Sequence, residues 1–389
     1  MNAGPLAGLR IVEFSAFVAA PLAGMTLAQL GAEVIRIDPP GGNIDYRRMP
    51  RAPSGDSLYW AGLNKGKKSI VLDIARAEGQ RAAQQLVCAP GSNAGIFLTN
   101  LPLRGWTDPQ RLRALRPDLI IVALTGNHDG SPAMDYTVNC ASGFPIATGT
   151  TREPVNHVLP AWDVAAGLYL ALAIVAAERA RRETGTGQDV KLALSDVMLA
   201  TVANLGYVAD VAINGESRGP IGNDLYGAFG RNFTTADGRE LMIVAISPRQ
   251  WHAIGAATGL ADSLAMIGPM LGVDLSTEDG LFEARDAIAA VLKPWFARRT
   301  LDEAGRALSA AGVLWGPYQD FGQLVREDPR CSTRNPMFGH VEQPGIGTLL
   351  APRSPLTFSA TSTPDPLLAP TLGADTAALL HRFAATNKD

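Results

Sequence analysis

The stretch LPAWDVAAG, residues 159–167, leads into a long apolar run from Leu168 to Ala177. The run is followed by ERARRETGTGQ, residues 178–188, in which the cations come first and the glycines after them. Cations in the last turn and glycine beyond it suit the dipole and the C-terminal cap of a helix. Asp163 stands where the N-cap of this helix is expected. The pattern therefore predicts a long buried helix that starts just after Asp163.

Asp163 has two interpretations. A lone aspartate at the start of a helix is usually a capping residue and nothing more. It can also be a nucleophile, because a helix N-terminus favours the ionised form of a carboxyl group. The local pattern leaves both interpretations open.

Length and charge restrict the class of protein. A chain of 389 residues exceeds one simple core, so two domains are expected. Its 47% hydrophobic and 18% charged residues are typical of a soluble globular protein. A net charge of -3 gives no electrostatic reason to bind nucleic acid or an anionic membrane, so an anionic ligand needs a local basic pocket.

Targeting and metal signals are weak. The N-terminus lacks the pattern of a signal peptide, and the apolar stretch 164–177 is shorter than the ~20 residues that span a bilayer. The cysteines Cys88, Cys140 and Cys331 lie far apart without metal-ligand spacing. We expect them to be buried thiols in a reducing cytoplasm. No grouping of histidine, cysteine and carboxylate residues has zinc spacing.

Strand and helix signals alternate in the N-terminal half. Leu9 to Phe14 and Glu33 to Asp38 are predicted strands, and Pro21 to Leu30 is a predicted helix between them. This βαβ unit should have parallel strands and a right-handed crossover. The turn from Ser15 to Pro21 lacks Gly-x-Gly-x-x-Gly, so a nicotinamide cofactor is not supported. Leu119 to Leu124 is a continuous apolar run, typical of a central parallel strand.

The second half has a different pattern. Residues 233–246 predict a hairpin with Ala236-Asp237-Gly238 as its turn, and helical segments follow it. A glycine-rich stretch at 218–230 separates this α+β part from the α/β part before it. The predicted domains are a large domain over 1–220, a small one over 221–330, and a C-terminal segment over 331–389.

Asp163, the apolar helix and RETGTGQDV at 182–190 resemble the signature region of the class III (CaiB/BaiF-like) CoA-transferases, and the resemblance covers nearly the whole chain. In that family the aspartate before this helix is the catalytic nucleophile. The resemblance implies a large Rossmann-like domain, a smaller α+β domain and an interlocked homodimer in which the C-terminal segment returns to the large domain. It also implies an acyl-CoA substrate, with coenzyme A as part of the substrate and no tightly bound cofactor or metal.

The resemblance also assigns residues to CoA. The turn after the first strand is expected to lie along CoA, although an ordinary tight crossover explains the same residues. Arg36 is either a ligand of the nucleotide or a surface charge, and the basic loop at 64–69 is expected to hold phosphates. The loop after the strand at 94–98 is shorter here than in the family, and Arg104 stands at a different position in it from the family's arginine. The expected CoA contacts are Ala16, Phe17, Val18, Arg36, Lys67, Lys68, Asn100, Arg104 and Asp135.

The substrate side depends on the glycine-rich block 222–233. Its expected substrate contacts are Gly222, Asn223, Tyr226 and Gly227, of which the two glycines are also candidates for the oxyanion hole. This block is most similar to family members that move CoA within one dicarboxylate. An intermolecular transferase with a separate acid acceptor shares every motif and stays open.

Two other activities are disfavoured. Met134 replaces the histidine that the family's racemases use as an acid/base group, and a thioether cannot accept a proton in that role. A CoA-binding protein without catalysis is disfavoured because Asp163 is in place.

Overall fold

A computed structural model describes residues 4–149, 153–215 and 217–385. The contacts divide the chain into two units. The first comprises Met1–Ser142, His157–Gly215 and Asp328–Asp389, and the second comprises Gly143–Asn156 and Glu216–Glu327. The short segment Gly143–Asn156 thus groups with the second unit, whereas the sequence pattern placed it in the large domain.

Strands and helices alternate from the amino terminus. They are β1 (Arg10–Phe14), α1 (Ala19–Gln29), β2 (Glu33–Asp38), α2 (Leu58–Leu63), β3 (Lys68–Val71), α3 (Ala77–Val87), β4 (Ile96–Thr99), α4 (Pro109–Leu115), β5 (Ile120–Thr125) and α5 (Asp135–Cys140). After the short helix α6 (Phe144–Thr148) of the second unit come α7 (Ala161–Thr184), β6 (Asp189–Ala193), α8 (Leu194–Asn204) and α9 (Tyr207–Asn214).

The remaining elements follow in chain order. Those of the second unit are β7 (Phe229–Thr234), β8 (Glu240–Ala245), α10 (Pro248–Thr258), α11 (Ala261–Ala265), α12 (Ile267–Leu271), α13 (Glu278–Glu283), α14 (Arg285–Phe296), α15 (Leu301–Ala310), β9 (Leu314–Pro317) and α16 (Phe321–Glu327). The first unit resumes with β10 (Phe338–Gln343), β11 (Gly347–Pro352) and α17 (Thr376–Ala385).

The first unit is built on a parallel sheet with strand order β3-β2-β1-β4-β5-β6. This confirms the α/β prediction and the parallel pairing of the first two strands. The order reverses between β1 and β4, which is where ligands bind in open sheets of this kind. The central strands β4 and β5 are almost wholly buried, as their continuous apolar sequences require.

The C-terminal segment lies along the outer strand of this sheet. The carboxylate of Asp375 accepts a hydrogen bond from the backbone N–H of Ser69 at 2.9 Å, and the hydroxyl of Thr376 accepts one from Val71 at 3.0 Å. These contacts cover the unpaired edge of β3, and an uncovered edge would invite pairing with another chain.

The second unit has its own core. The predicted hairpin is confirmed, since β7 and β8 pair antiparallel, and β9 joins β8 as the third strand. Along β8, Leu241, Ile243 and Ala245 are buried and alternate with more exposed residues. The buried face packs into a cluster with helical residues such as Ile288 and Leu292.

Helix α7 is longer than expected. It has 24 residues, so by length and composition it could cross a membrane, and the bent pair α8–α9 could as well. Buried core helices of soluble proteins meet the same criterion. The expectation that this apolar segment is too short to span a bilayer is therefore wrong.

Two further expectations need correction. The sequence predicts one helix near Ser195 to Ala212, but the structure divides this segment into α8 and α9, because Gly206 takes a left-handed conformation with φ 86° between them. The cysteines are not all core thiols, since Cys140 is exposed, and Cys88 and Cys331 are half-buried.

Candidate active site

Asp163 lies inside the first turn of α7 rather than before the helix. α7 begins at Ala161, and Pro160 at the N-cap position has no capping side chain. Asp135 supplies the cap instead, because its Oδ2 accepts hydrogen bonds from the backbone N–H groups of Trp162 and Asp163, at 2.8 and 3.0 Å. The expectation that Asp163 is the N-cap is therefore wrong. A side chain 28 residues earlier in the chain satisfies the open N–H groups.

Asp135 was expected to contact CoA, and the structure gives it this capping role. Its side chain is buried, and its Oδ1 atom has no hydrogen-bond partner among the described residues. Both donors that it meets belong to the first turn of α7. We therefore assign Asp135 to positioning the backbone of Asp163.

The carboxyl group of Asp163 is more basic than usual. Burial raises its pKa to about 6, and the negative charge of Asp135 adds to the rise. The helix N-terminus was expected to favour the ionised form, but burial and the like charge outweigh that effect. At neutral pH the group is still mainly ionised. A basic, poorly solvated carboxylate can attack an acyl carbon.

The turn after β1 is strained. Phe17 has φ 65° and is the non-glycine residue with positive φ in the part of the chain that the structure describes. Such a conformation persists only where the surroundings hold it, and it is common at functional sites. Asn100, which follows β4, provides the clamp. Its Oδ1 accepts from the backbone N–H of Ala16 at 2.9 Å, and its Nδ2 donates to the carbonyl oxygen of Ala16 at 2.7 Å.

This contact defines the role of Asn100. The side chain joins the loops after β1 and β4, at the point where the strand order reverses. Its two hydrogen bonds to the turn favour positioning of Ala16, Phe17 and Val18 over the expected contact with CoA. The predicted CoA contacts of those three residues stay predictions.

Helix packing brings the turn beside Asp163. α1 and α7 contact each other along their length. Gly167, one helical turn after Asp163, lies so close to α1 that a Cβ atom there would be 2.8 Å from the carbonyl oxygen of Ala19. Ala19 follows Phe17 by two residues. The strained turn therefore lies close to the first turns of α7, which carry Asp163.

Arg48 lies beside the strained turn and beside Tyr59. The guanidinium carbon of Arg48 lies 5.6 Å from the ring centre of Phe17 and 5.3 Å from that of Tyr59. Burial raises the pKa of Tyr59 to about 12 despite the charge of Arg48, and the charge of Asp163 contributes to the rise. Tyr59 therefore keeps its proton and can donate a hydrogen bond near Asp163.

A buried cluster of charges supports the turn from below. Arg36 is 1% exposed, and its guanidinium donates to the carboxylates of Asp38 and Asp45 and to the carbonyl oxygen of Ser15. It is neither a surface charge nor open to a nucleotide, so both interpretations of Arg36 are corrected. Its donors are used within the protein, and one of them holds the turn at Ser15.

Lys67 belongs to the same cluster. Its Nζ atom donates to Glu13 at 2.8 Å, to Asn64 at 2.9 Å and to the carbonyl oxygen of Pro21 at 2.8 Å. An ammonium group has three donors, so all are occupied. Burial lowers the pKa of Lys67 to about 8, while Glu13 opposes the change. The structure thus contradicts a direct phosphate contact.

Lys68 points to a different part of the sheet. It donates to Glu33 at the amino end of β2, at 2.7 Å, and Arg10 and Arg382 bind the same carboxylate. Burial raises the pKa of Glu33, but hydrogen bonds from Arg382, Lys68 and Arg10 hold it well below its usual range. The two lysines therefore do not form one phosphate site.

Arg104 is the predicted cation that remains open to a ligand. It is exposed and immediately precedes the 3₁₀ turn Gly105–Thr107, in the loop that follows β4. This places it after the carboxyl end of a central strand. Its contact with CoA stays a prediction.

The predicted substrate contacts lie in the second unit, in the segment that leads into β7. Two of them, Gly222 and Gly227, have φ values of 60° and 77°, and open space surrounds the place where a Cβ atom would stand. The ring of Tyr226 contacts that of Phe282 at a tilt of 55°, and the guanidinium of Arg218 lies over the Tyr226 ring at 3.7 Å. Contact of Gly222, Asn223, Tyr226 and Gly227 with substrate stays a prediction.

Sequence reasoning missed Arg48 and Tyr59. Arg48 stands in the arginine-rich loop YRRMPR, residues 46–51, where several cations look alike. Only the stacking on Phe17 distinguishes it. Tyr59 lies five residues before the basic loop, and the effect of the Asp163 charge on it arises only from the packing of the folded chain.

Comparisons with known proteins point to one family. The family model described as CoA-transferase family III matches residues 6–376. The chain is 53% identical over 380 residues to the 2-methylfumaryl-CoA isomerase of Chloroflexus aurantiacus, covering 97% of this chain and 93% of that protein. It is 27% identical to the succinyl-CoA–D-citramalate CoA-transferase of the same organism, over 89% of this chain and 85% of that protein.

A solved structure agrees in fold. A CaiB/BaiF family protein from Brucella suis is 26% identical and superposes with a TM-score of 0.80, over 98% of this chain and 100% of that chain. Family model, sequence relatives and solved structure all extend over both units. The chain is therefore a member of CoA-transferase family III and is a class III CoA-transferase.

Proposed function

We propose that this enzyme moves CoA between the two carboxyl groups of a single molecule and converts 2-methylfumaryl-CoA into 3-methylfumaryl-CoA. The observation that carries this proposal is the 53% identity, over 97% of the chain, to a protein named 2-methylfumaryl-CoA isomerase. Besides the block 222–233, the residues 15–22, 59–67 and 156–163 resemble intramolecular members of the family, and they include the strained turn, Tyr59 and Asp163.

The reaction begins with attack on the thioester. The Asp163 carboxylate adds to the thioester carbonyl carbon, the carbon–sulfur bond breaks, and CoA leaves as a thiolate. The product is a mixed anhydride between Asp163 and the substrate acyl group. The thiolate then attacks the aspartyl carbonyl carbon, which gives an aspartyl-CoA thioester and free dicarboxylate.

The second half reverses these steps at the other end of the acid. The second carboxylate attacks the aspartyl thioester, forms a new anhydride and expels the thiolate. The thiolate attacks the substrate carbonyl of that anhydride, and Asp163 is released as a carboxylate. No external acid is consumed. Water must stay out, since it would hydrolyse the anhydride.

The described residues fit these steps. The raised pKa of Asp163 makes its carboxylate a stronger nucleophile while it is still ionised at neutral pH. The neutral Tyr59 hydroxyl can donate to the oxygen that becomes negative during the attack. Backbone N–H groups of the strained turn are further donors for that oxygen.

An intermolecular transferase is the second candidate. The observation that favours it is the 27% identity to a relative whose name includes two different acids, succinyl-CoA and D-citramalate. Such an enzyme needs a separate acid acceptor and shows ping-pong kinetics. A racemase is disfavoured because Met134 cannot take a proton.

One incubation separates these candidates. The enzyme is mixed with 2-methylfumaryl-CoA alone, and the products are followed by chromatography with and without labelled 2-methylfumarate in the medium. We expect isomerisation without added acid and little label in the product. Incorporation of label at the rate of turnover would rule out the intramolecular proposal and leave the intermolecular one.

Asp163 can be tested directly. Asp163→Asn and Asp163→Ala should abolish transfer while CoA-ester binding remains nearly intact. Hydroxylamine added during turnover of the wild type should modify this residue, as peptide mass spectrometry can show. Substantial turnover by the alanine variant would exclude Asp163 as the nucleophile.

A further inference from the structure

Arg48 is a cation that the protein orients without neutralising. It is exposed, it stacks on Phe17 and Tyr59, and none of the described carboxylates lies within ion-pair distance of it. A cation–π contact restricts where a guanidinium group lies and leaves its N–H groups available for an anion. Its neighbour Arg47 is also exposed but does not stack on an aromatic ring in the described structure.

The charges around Asp163 create a need for such a cation. Asp163 and the buried Asp135 are both acidic, and they would repel an incoming second carboxylate. A dicarboxylic acid bound through one thioester keeps a negative charge at its other end. A charged hydrogen bond from arginine is the usual way to hold a carboxylate, and the arginine fork can bind both oxygens.

Two aromatic neighbours of Arg48 relate it to the carboxylate of Asp163. Phe17, on which it stacks, belongs to the turn beside Asp163. Tyr59, its other aromatic neighbour, feels the charge of Asp163 directly. Phe17 and Tyr59 thus link the guanidinium of Arg48 to the neighbourhood of Asp163.

We propose that Arg48 binds the free carboxylate of the dicarboxylate thioester and retains the released diacid while its two ends exchange places. This rests on the proposed function, because only a substrate with two carboxyl groups needs such a residue. The two carboxylates are chemically alike, so one cation can hold either end. A diacid that stays bound to Arg48 would react with the aspartyl-CoA thioester more often than it would leave the enzyme.

The binding test does not depend on turnover. Asp163→Asn blocks the chemistry and keeps the shape of the side chain, and calorimetry then compares succinyl-CoA with butyryl-CoA, which lacks the second carboxylate. Adding Arg48→Gln should weaken succinyl-CoA binding roughly 10- to 100-fold, as expected for loss of a charged hydrogen bond. Butyryl-CoA binding should change less than about twofold. Arg48→Lys should lie between, and Arg47→Gln should leave both affinities unchanged.

The outcomes are distinguishable. Equal weakening of succinyl-CoA and butyryl-CoA binding would show that Arg48 binds the CoA part or supports the fold. Unchanged binding of both thioesters would show that Arg48 contacts neither of them. Each of these results overturns the proposal. In the turnover assay, Arg48→Gln with Asp163 intact should raise entry of labelled free diacid relative to isomerisation. If the wild type fails to isomerise 2-methylfumaryl-CoA, the proposed function fails, while the calorimetric comparison still decides whether Arg48 binds a carboxylate.

Discussion

At the scale of single residues, the chemistry depends on how the protein treats one carboxyl group. Asp163 stands at a helix N-terminus, which lowers carboxyl pKa values, yet burial and Asp135 raise its pKa to about 6. A nucleophile needs its unprotonated form and gains reactivity from basicity. The folded unit therefore gives Asp163 a pKa that is raised, which increases its basicity, but is still low enough to leave the carboxyl group ionised at neutral pH.

This pKa predicts a pH profile. Only ionised Asp163 can attack, so kcat/KM should be level above about pH 7 and fall about tenfold per pH unit below pH 6. The measurement is the initial rate of thioester conversion from pH 5 to 8. Asp135→Asn can still accept the two hydrogen bonds but lacks the charge, so it should move the acidic limb to lower pH. An unchanged limb in that variant would contradict the role assigned to Asp135.

At the scale of elements, the turn after β1 is positioned by the loop after β4. Asn100→Ala removes both hydrogen bonds to Ala16, and Phe17 then loses the clamp on its strained backbone. We expect kcat to fall by roughly 10- to 100-fold, because small displacements of positioning groups cost about that much. Unfolding free energy should fall by only about 1–2 kcal/mol.

The control for this prediction is Asn100→Asp. It keeps the acceptor for the Ala16 N–H but loses the donor, so it should show an intermediate rate. Steady-state kinetics and urea unfolding measure the two effects separately. Loss of stability without loss of kcat would mean that the clamp serves the fold alone.

Stability should also depend on the buried charge cluster under the turn. Lys67→Met leaves Glu13 charged, buried and without its closest cation, which should destabilise the fold by about 3–5 kcal/mol. Lys68→Met breaks a partly exposed pair and should cost less than about 1 kcal/mol. Urea midpoints give the comparison. Equal small effects, together with weaker CoA binding by both variants, would restore the phosphate-binding interpretation of this loop.

At the scale of the whole molecule, α7 presents an apolar face that the single chain leaves open. Leu168, Tyr169, Leu172 and Val175 lie on that face, and between 37% and 62% of each is exposed. Large exposed apolar patches usually mark an interface. We propose that a second copy covers this face in the interlocked homodimer that the family resemblance implies.

Interlocking makes a specific prediction about exchange. Two chains threaded through each other cannot separate without unfolding, so tagged and untagged dimers should not exchange subunits in native buffer. They should mix after denaturation and refolding. Light scattering should give about twice the chain mass of 41.0 kDa, and affinity capture followed by native mass spectrometry should detect mixed dimers. Exchange within hours under native conditions, or a monomeric mass, would exclude interlocking.

Much of the architecture could be predicted from the sequence because its signals are local. Strand patterns identify β1 and β2, a continuous apolar run identifies β5, and the turn residues identify the hairpin of β7 and β8. A glycine break was harder to see, so α8 and α9 were predicted as one helix. The position of Asp163 at the start of the long helix was also readable, since the apolar run and its terminal glycines lie next to it in the chain.

The start of α7 and the roles of the cations were decided only by tertiary structure. The cap of α7 comes from Asp135, and the ammonium of Lys67 is bound by Glu13, 54 residues away. A lysine in a basic loop looks solvated until its distant partners are known, and three arginines in one loop look equivalent until one stacks on Phe17. The sequence shows which residues are charged. Whether each charged side chain faces a ligand or another side chain depends on long-range packing. The sequence by itself therefore determined the strand pattern, the family and the position of Asp163 beside the long helix. The folded structure determined which charged groups are bound within the protein and which remain exposed.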